Sequence, residues 1–253
     1  MQIDEKAWNK YISMLRTLTD RTSAEIMRLI DSIDFWSLDK DELAPIMDNI
    51  FAIAQKNSDA SATLSLEFFE MMADGKISAT EMAAFNDIGE LYKAYNSIKQ
   101  HQNSEVFADA VSRLVKRSSA DTVLKNAIKA GCEVAWIPHG ETCAFCLTLA
   151  SKGWVKASSS LLANGHADHI HANCDCTYAV RFDHDTTVKG YDPDKYLRIY
   201  ESAPGRSPAE RINAMRREFY KENSKKINKQ KRIAYAKRKE RESSEAEEYN
   251  VNQ

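Results

Sequence analysis

An α+β architecture is predicted by how glycine, proline and cysteine are distributed along the 253 residues. Residues 1–130 contain two glycines (Gly75, Gly89) and one proline (Pro45), too few turn formers for anything but helices. Residues 131–205 contain six glycines and three prolines, the composition of short strands joined by turns. All five cysteines fall in that second stretch, four of them in two close pairs. The expected organisation is therefore an all-helical segment over 1–130 and a small zinc-binding antiparallel β/turn module over 131–203. A basic helix with a polar, acidic tail follows over 204–253.

In the helical segment, Trp8, Tyr11, Ile12, Leu15 and Leu18 recur at helical spacing and mark a buried face. Thr22-x-x-Glu25 has the capping-box pattern and predicts a new helix carrying Ile26, Leu29, Ile30 and Ile33. A further start lies between Asp39 and Pro45, ahead of Ile46, Ile50 and Ile53, and another helix is predicted from about Ala60 to Ala73, ending at Asp74-Gly75. Ser78-x-x-Glu81 predicts a start with Phe85, Ile88, Tyr92 and Tyr95 inward. Phe107, Ala110, Val111 and Leu114 mark one more helix, and Ser119 to Ala130 the last, ended by Gly131. The Met71-Met72 pair and the aromatic stripes read as core, and His101 as part of a polar turn.

After Gly131, residues 132–137 and 176–182 read as two strands, paired antiparallel so that the two cysteine pairs meet. Leu147 to Lys152 suits a helical turn before Gly153, and Ser158 to Gly165 a surface loop. Asp192-Pro193 opens a short helix with Tyr196, Ile199 and Tyr200, which Ala203-Pro204-Gly205 breaks. Ser207-Pro208-Ala209-Glu210 combines a capping box with a proline in the first turn and starts the C-terminal helix.

The cysteine pairs carry the chemistry. Cys143-x-x-Cys146 is followed, after 27 residues, by Cys174-x-Cys176, with His171 three residues before Cys174. Zn²⁺ takes four soft or borderline ligands in a tetrahedron, and a C-x-x-C turn brings two thiolates to one point. Cys143, Cys146, His171, Cys174 and Cys176 are thus the candidate metal ligands. Cys132 lies outside both pairs and reads as a buried free thiol, while His139, His166 and His184 read as solvent-facing. Disulfides fit less well, because the chain opens Met1-Gln2-Ile3-Asp4-Glu5 without a basic or apolar leader. A redox C-x-x-C belongs at the start of a helix in a parallel α/β unit, an alternation not present here. The arrangement His139-x-Glu141 with C-x-x-C superficially matches a zinc deaminase, but one residue separates Glu141 from Cys143, too few for two elements to converge on a metal.

The residues around these cysteines resemble a known family. Val134-Ala135-Trp136-Ile137-Pro138, Thr142-Cys143-Ala144-Phe145-Cys146 with Leu149-Ala150-Ser151-Lys152-Gly153, and His171-Ala172-Asn173-Cys174-Asp175-Cys176 resemble the MuF-like minor head proteins of tailed bacteriophages over about residues 118–200. Lys152 stands where arginine is common in that family, and Ala172 where proline often follows the histidine. The resemblance implies a low-copy virion protein near the portal, made in the bacterial cytoplasm during assembly and needed for head morphogenesis. It also implies that the helical half contacts the portal or another head protein.

Composition bounds the alternatives. The net charge is −2, but residues 206–241 hold 14 Lys/Arg against four Glu, a local +10 that leaves −12 elsewhere. Lys225, Lys226, Lys229, Lys231, Arg232, Lys237, Arg238 and Lys239 form a run interleaved with a single aromatic, Tyr235, suited to non-specific phosphate contact with packaged DNA or to an acidic protein surface. The expected function is structural, with a closed zinc site and no catalysis. The competing reading is a metal-dependent hydrolase or nuclease, for which Glu141, Asp168 and His169 are the nearby acid–base candidates. A stand-alone DNA-binding zinc protein would rest on the tail alone. No apolar run approaches a membrane span. Chelation is expected to unfold residues 131–185 while leaving the helical half largely intact, because separate cores melt separately.

Overall fold

A computed structural model describes residues 3–83, 85, 87–139, 142–163, 174–225, 228–229 and 232. The chain forms two compact units, residues 1–197 and residues 198–253.

The first unit is built on long helices. α1 (Glu5–Ile30) starts at Asp4, whose Oδ1 accepts a 2.7 Å hydrogen bond from the Ala7 amide, and buries Trp8, Tyr11, Ile12, Leu15, Thr19, Thr22, Ile26 and Ile30 along one stripe. The helix runs straight through Thr22-x-x-Glu25, where a second start was predicted. The Thr22 hydroxyl donates to the Leu18 carbonyl and Glu25 takes Arg21 instead, so neither side chain is available to cap. α2 (Lys40–Met72) begins with a complete Asp39/Glu42 capping box and continues across the predicted break before Ala60. Asp74 and Gly75, both left-handed, end it.

The predicted helix at Ser78 does not form. Asn126 Oδ1 accepts from the Thr80 and Glu81 amides, Asn126 Nδ2 donates to the Glu81 carbonyl, and Thr122 Oγ1 accepts from Ala83 N. Side chains of a later helix therefore satisfy the backbone that a helix start would have used. α3 (Ile88–Ile98) begins instead at Asp87, whose side chain accepts from Gly89 N, and a 3₁₀ turn (Lys99–His101) follows. α4 (Ser104–Ala130) is one continuous helix where two were predicted, closed by Gly131 at φ 66°. It packs against α1, α2 and α3, and its Lys116, Ser118, Ser119, Thr122 and Asn126 are buried with its apolar residues. A central helix buried on several sides loses the polar stripe by which sequence periodicity is recognised.

β1 (Glu133–Ile137) follows, then α5 (Ala144–Ala150), β2 (Val155–Lys156), α6 (Ser159–Ala163) and β3 (Thr177–Arg181). The sheet order is β2-β1-β3 and both pairings are antiparallel. The predicted pairing of the first and last strands is present, with Glu133 opposite Arg181 and Ile137 opposite Thr177. Arg181 Nε donates to Glu133 at 2.6 Å, and its guanidinium covers the Trp154 ring at 4.8 Å. α5 starts three residues earlier than predicted, because Cys143 itself is the cap. A short helix, α6, stands in the predicted loop after Ser158.

One apolar core runs through helices and sheet together. Trp8, Tyr11, Phe68 and Val123 from the helices share it with Val134, Trp136, Tyr178, Val180, Cys146, Cys174 and Cys176. A second core at the other end of the helices gathers Phe35, Met47, Leu91, Tyr95 and Phe107. The composition change at Gly131 is thus a change of secondary structure above a shared core. Independent melting of 131–185 does not follow from this packing.

α7 (Pro193–Ser202) starts at Asp192 as predicted, with Asp192 Oδ1 accepting from the Asp194 and Lys195 amides. In the second unit, α8 (residues 208–225) carries the predicted capping box: Glu210 N donates to Ser207 Oγ, and Glu210 Oε2 accepts from Ser207 N and Arg206 N. Arg211 donates to the Tyr200 and Glu201 carbonyls and ties α8 to the end of α7.

Candidate metal centre

The site is assembled by one short helix and one strand. Cys143 is the N-cap of α5, its Sγ accepting from the Cys146 amide at 3.4 Å. A cysteine in that position turns the chain so that Cys146, in the first helical turn, points the same way. Cys174 and Cys176 lead into β3, and the β1–β3 pairing carries them under α5. Cys146 Sγ lies 3.3 Å from Cys174 Sγ. The sulfurs of Cys146, Cys174 and Cys176 all lie within 4.8 Å of one another, and each residue is 1 % exposed. Cys143, half-buried, stands beside this group through its contact with the Cys146 amide, but it is not one of the three sulfurs that lie mutually within 4.8 Å.

These distances suit a metal. Four sulfurs about 2.3 Å from one Zn²⁺ stand roughly 3.8 Å apart, within the range seen here. A disulfide needs about 2.05 Å, and all five cysteines are free thiols. Thiols are weak donors and weak acceptors, so three of them stacked in an apolar core stabilise little by themselves. Their proton affinities are already split. Cys146 is pushed far up by its thiol neighbours, while Cys174 is pulled well down by hydrogen bonds with Cys146 and Cys176 and by the Lys116 ammonium. Cys176 is also raised, against the pull of Cys146, by Cys174 and by burial, so what negative charge the group holds falls on Cys174.

The surrounding charges were missed in the sequence reading. Asp175, between the last two cysteines, meets Arg16 of α1 at 3.3 Å and Lys116 of α4 at 3.9 Å. The Lys116 side chain is only 7 % exposed. Its neighbours Arg117, Ser118 and Ser119 make the segment look like a solvated helix end, and no local signal marks the lysine as interior.

The other candidates divide. Cys132 is buried and apart, its Sγ 3.5 Å from the Ala127 carbonyl, and burial pushes its thiol up to about 11. His184 is exposed, 3.3 Å from Glu133, and His139 is half-buried. His166, His169, His171, Glu141 and Asp168 lie outside the described residues, as do Lys226, Lys231, Lys237, Arg238 and Lys239 of the basic run. Lys225, Lys229 and Arg232 are exposed. The C-x-x-C does open a helix after a strand, as redox motifs do, but the sheet is antiparallel throughout its described strands.

Helical layers under a three-stranded antiparallel sheet, with a buried cysteine cluster between them, define an α+β protein with a candidate thiolate metal site. The VG15 protein family matches residues 2–203, so the chain belongs to that phage-associated family and is a phage protein. The matched region takes in helices and sheet together and stops at the Ala203-Pro204-Gly205 break. Comparison with curated proteins and with solved structures finds no match. Among the described residues no helix is long and apolar enough to cross a membrane.

Proposed function

We propose that this phage protein is a minor head protein of the virion, associated with the portal, in which Zn²⁺ is a structural cross-link and no reaction is catalysed. The single observation that carries the reading is the convergence of Cys146, Cys174 and Cys176 inside the core shared by helices and sheet, with Cys143 packed against it. Cys146, Cys174 and Cys176 supply three buried sulfurs, and Cys143 or His171 is the candidate to close the coordination sphere. A closed, buried site is what structural zinc requires, whereas a catalytic site keeps a position open for water. Zinc bound there would polarise no substrate; it would hold α5 to β3 and add its binding energy to folding. The head and portal assignment rests on the MuF-like resemblance around the same cysteines. α8 and the basic run beyond it supply lysines and arginines for non-specific contact with packaged DNA or with an acidic neighbour.

Mass spectrometry of purified virions tests the role, with the protein expected at low copy in portal-containing particles. A Glu141→Ala, Asp168→Ala double mutant tests the hydrolase alternative. Absence from particles, or an activity that the wild type shows and a normally folded double mutant loses, contradicts the structural reading.

A further inference from the structure

Lys116 is the unusual residue of the molecule. A lysine at the middle of the central helix, 7 % exposed, is costly to bury unless an anion faces it. The carboxylate it faces is a poor match. Asp175 Oδ1 is 3.9 Å from the ammonium, too long for a hydrogen bond, and Asp175 Oδ2 is already engaged by Arg16 at 3.3 Å. Asp175 stands between Cys174 and Cys176, so an ammonium 3.9 Å from its carboxylate lies beside the segment that carries two of the clustered sulfurs. A divalent ion with four thiolates carries a net charge of about −2, which an apolar core does not tolerate unaided. Arg16, Lys116 and Asp175 together leave one positive charge against it.

We propose that Lys116 is a positioning residue of the metal centre: its buried ammonium neutralises the anionic thiolate–metal group, and Asp175 draws off part of that charge. The proposal rests on the zinc reading above and goes beyond it. Lys116 touches no metal; it acts through the sulfur ligands, as outer-sphere groups do elsewhere.

The test uses the full chain as wild type, Lys116→Met, Lys116→Arg and Asp175→Asn. Methionine is unbranched and one heavy atom shorter than lysine, so charge is removed with little change in the packing of the stem. Zn²⁺ affinity is read by competition with a chromophoric chelator, and the sulfur-to-metal charge-transfer absorption is read with Co²⁺. Lys116→Met should bind metal at the same stoichiometry but about ten-fold more weakly, with the charge-transfer band moved to longer wavelength as the sulfurs become better donors. Lys116→Arg should restore both. Asp175→Asn should shift affinity the opposite way, because it frees Lys116 to face the sulfurs alone. That variant keeps the proposal testable if Lys116→Met does not fold. Unchanged affinity and spectrum in Lys116→Met, or weakened binding in Asp175→Asn, overturns the proposal while leaving the zinc site standing. A wild type that takes up neither metal overturns the zinc reading itself.

Discussion

At the scale of single residues, the core is held by a few polar groups whose partners come from distant parts of the chain. The Tyr11 hydroxyl lies 3.0 Å from both Ser65 and Ser119, joining α1, α2 and α4. Tyr11→Phe leaves those hydroxyls with one partner fewer in an apolar setting and should cost about 1–2 kcal/mol in denaturant unfolding. Asp109 tests the opposite sign. Burial, and secondarily Glu105, raises its carboxyl above the usual range. For an acid raised in this way, the folded state binds more protons than the unfolded one between the two pKa values. Stability therefore falls as pH rises through that window, and the penalty is absent below the unfolded value. Asp109→Asn should raise the melting temperature near neutral pH, by roughly 1 °C for this partly exposed group. The gain should vanish on acidification below about pH 4. The meeting of Cys146 with Cys174 and Cys176 was legible because C-x-x-C and C-x-C spacing is local chemistry. Lys116 and Asp175 were not, because their role depends on which face of α4 is buried and where β3 delivers the loop before it.

At the scale of elements, caps were read well where the capping group has no competing partner. Asp192 and Ser207/Glu210 cap as predicted, and the start expected between Asp39 and Pro45 is capped by Asp39 with Glu42. Thr22/Glu25 and Ser78/Glu81 carry the same pattern and fail. In the first the hydroxyl back-bonds within a running helix; in the second Asn126 and Thr122 claim the backbone, and Lys129 claims Glu81. Long helices were cut in two for the same reason: a helix packed on several sides interrupts its own apolar period with buried serines and a lysine. Gly131 gives a clean test of an element end. Its φ is 66°, yet a Cβ there would meet nothing within 4 Å. Gly131→Ala should therefore cost only the left-handed backbone strain, about 1 kcal/mol, without disturbing the site. A larger loss, or altered metal uptake, would mean that the α4–β1 turn is coupled to the cysteines.

At the scale of the whole molecule, the α+β class and the β1–β3 pairing were legible, since composition and alternation report them directly. That helices and sheet share one core was not, because a hydrophobic period names a buried face without naming what covers it. The shared core has a thermal consequence. Metal held at ~1,000 times its dissociation constant contributes about 4 kcal/mol, or roughly 10 °C for a unit of this size. Chelation should lower the melting of residues 1–197 as one transition, and two separated transitions would show that the sheet region stands on its own. Removing residues 224–253 should leave that transition in place and weaken DNA binding at low salt, with a shallower salt dependence. Equal binding with an unchanged salt slope would assign the basic run to a protein partner.

The cysteine cluster as a structural metal centre is the claim on which the rest depends, and metal content tests it most directly. The full chain, purified reduced and without chelator, should carry about one Zn²⁺ by elemental analysis. Cys143→Ser or Cys146→Ser should abolish that, and Cys132→Ser should leave it unchanged. Wild-type protein that contains no metal, or a Cys132→Ser variant that loses it while Cys146→Ser retains it, contradicts the account.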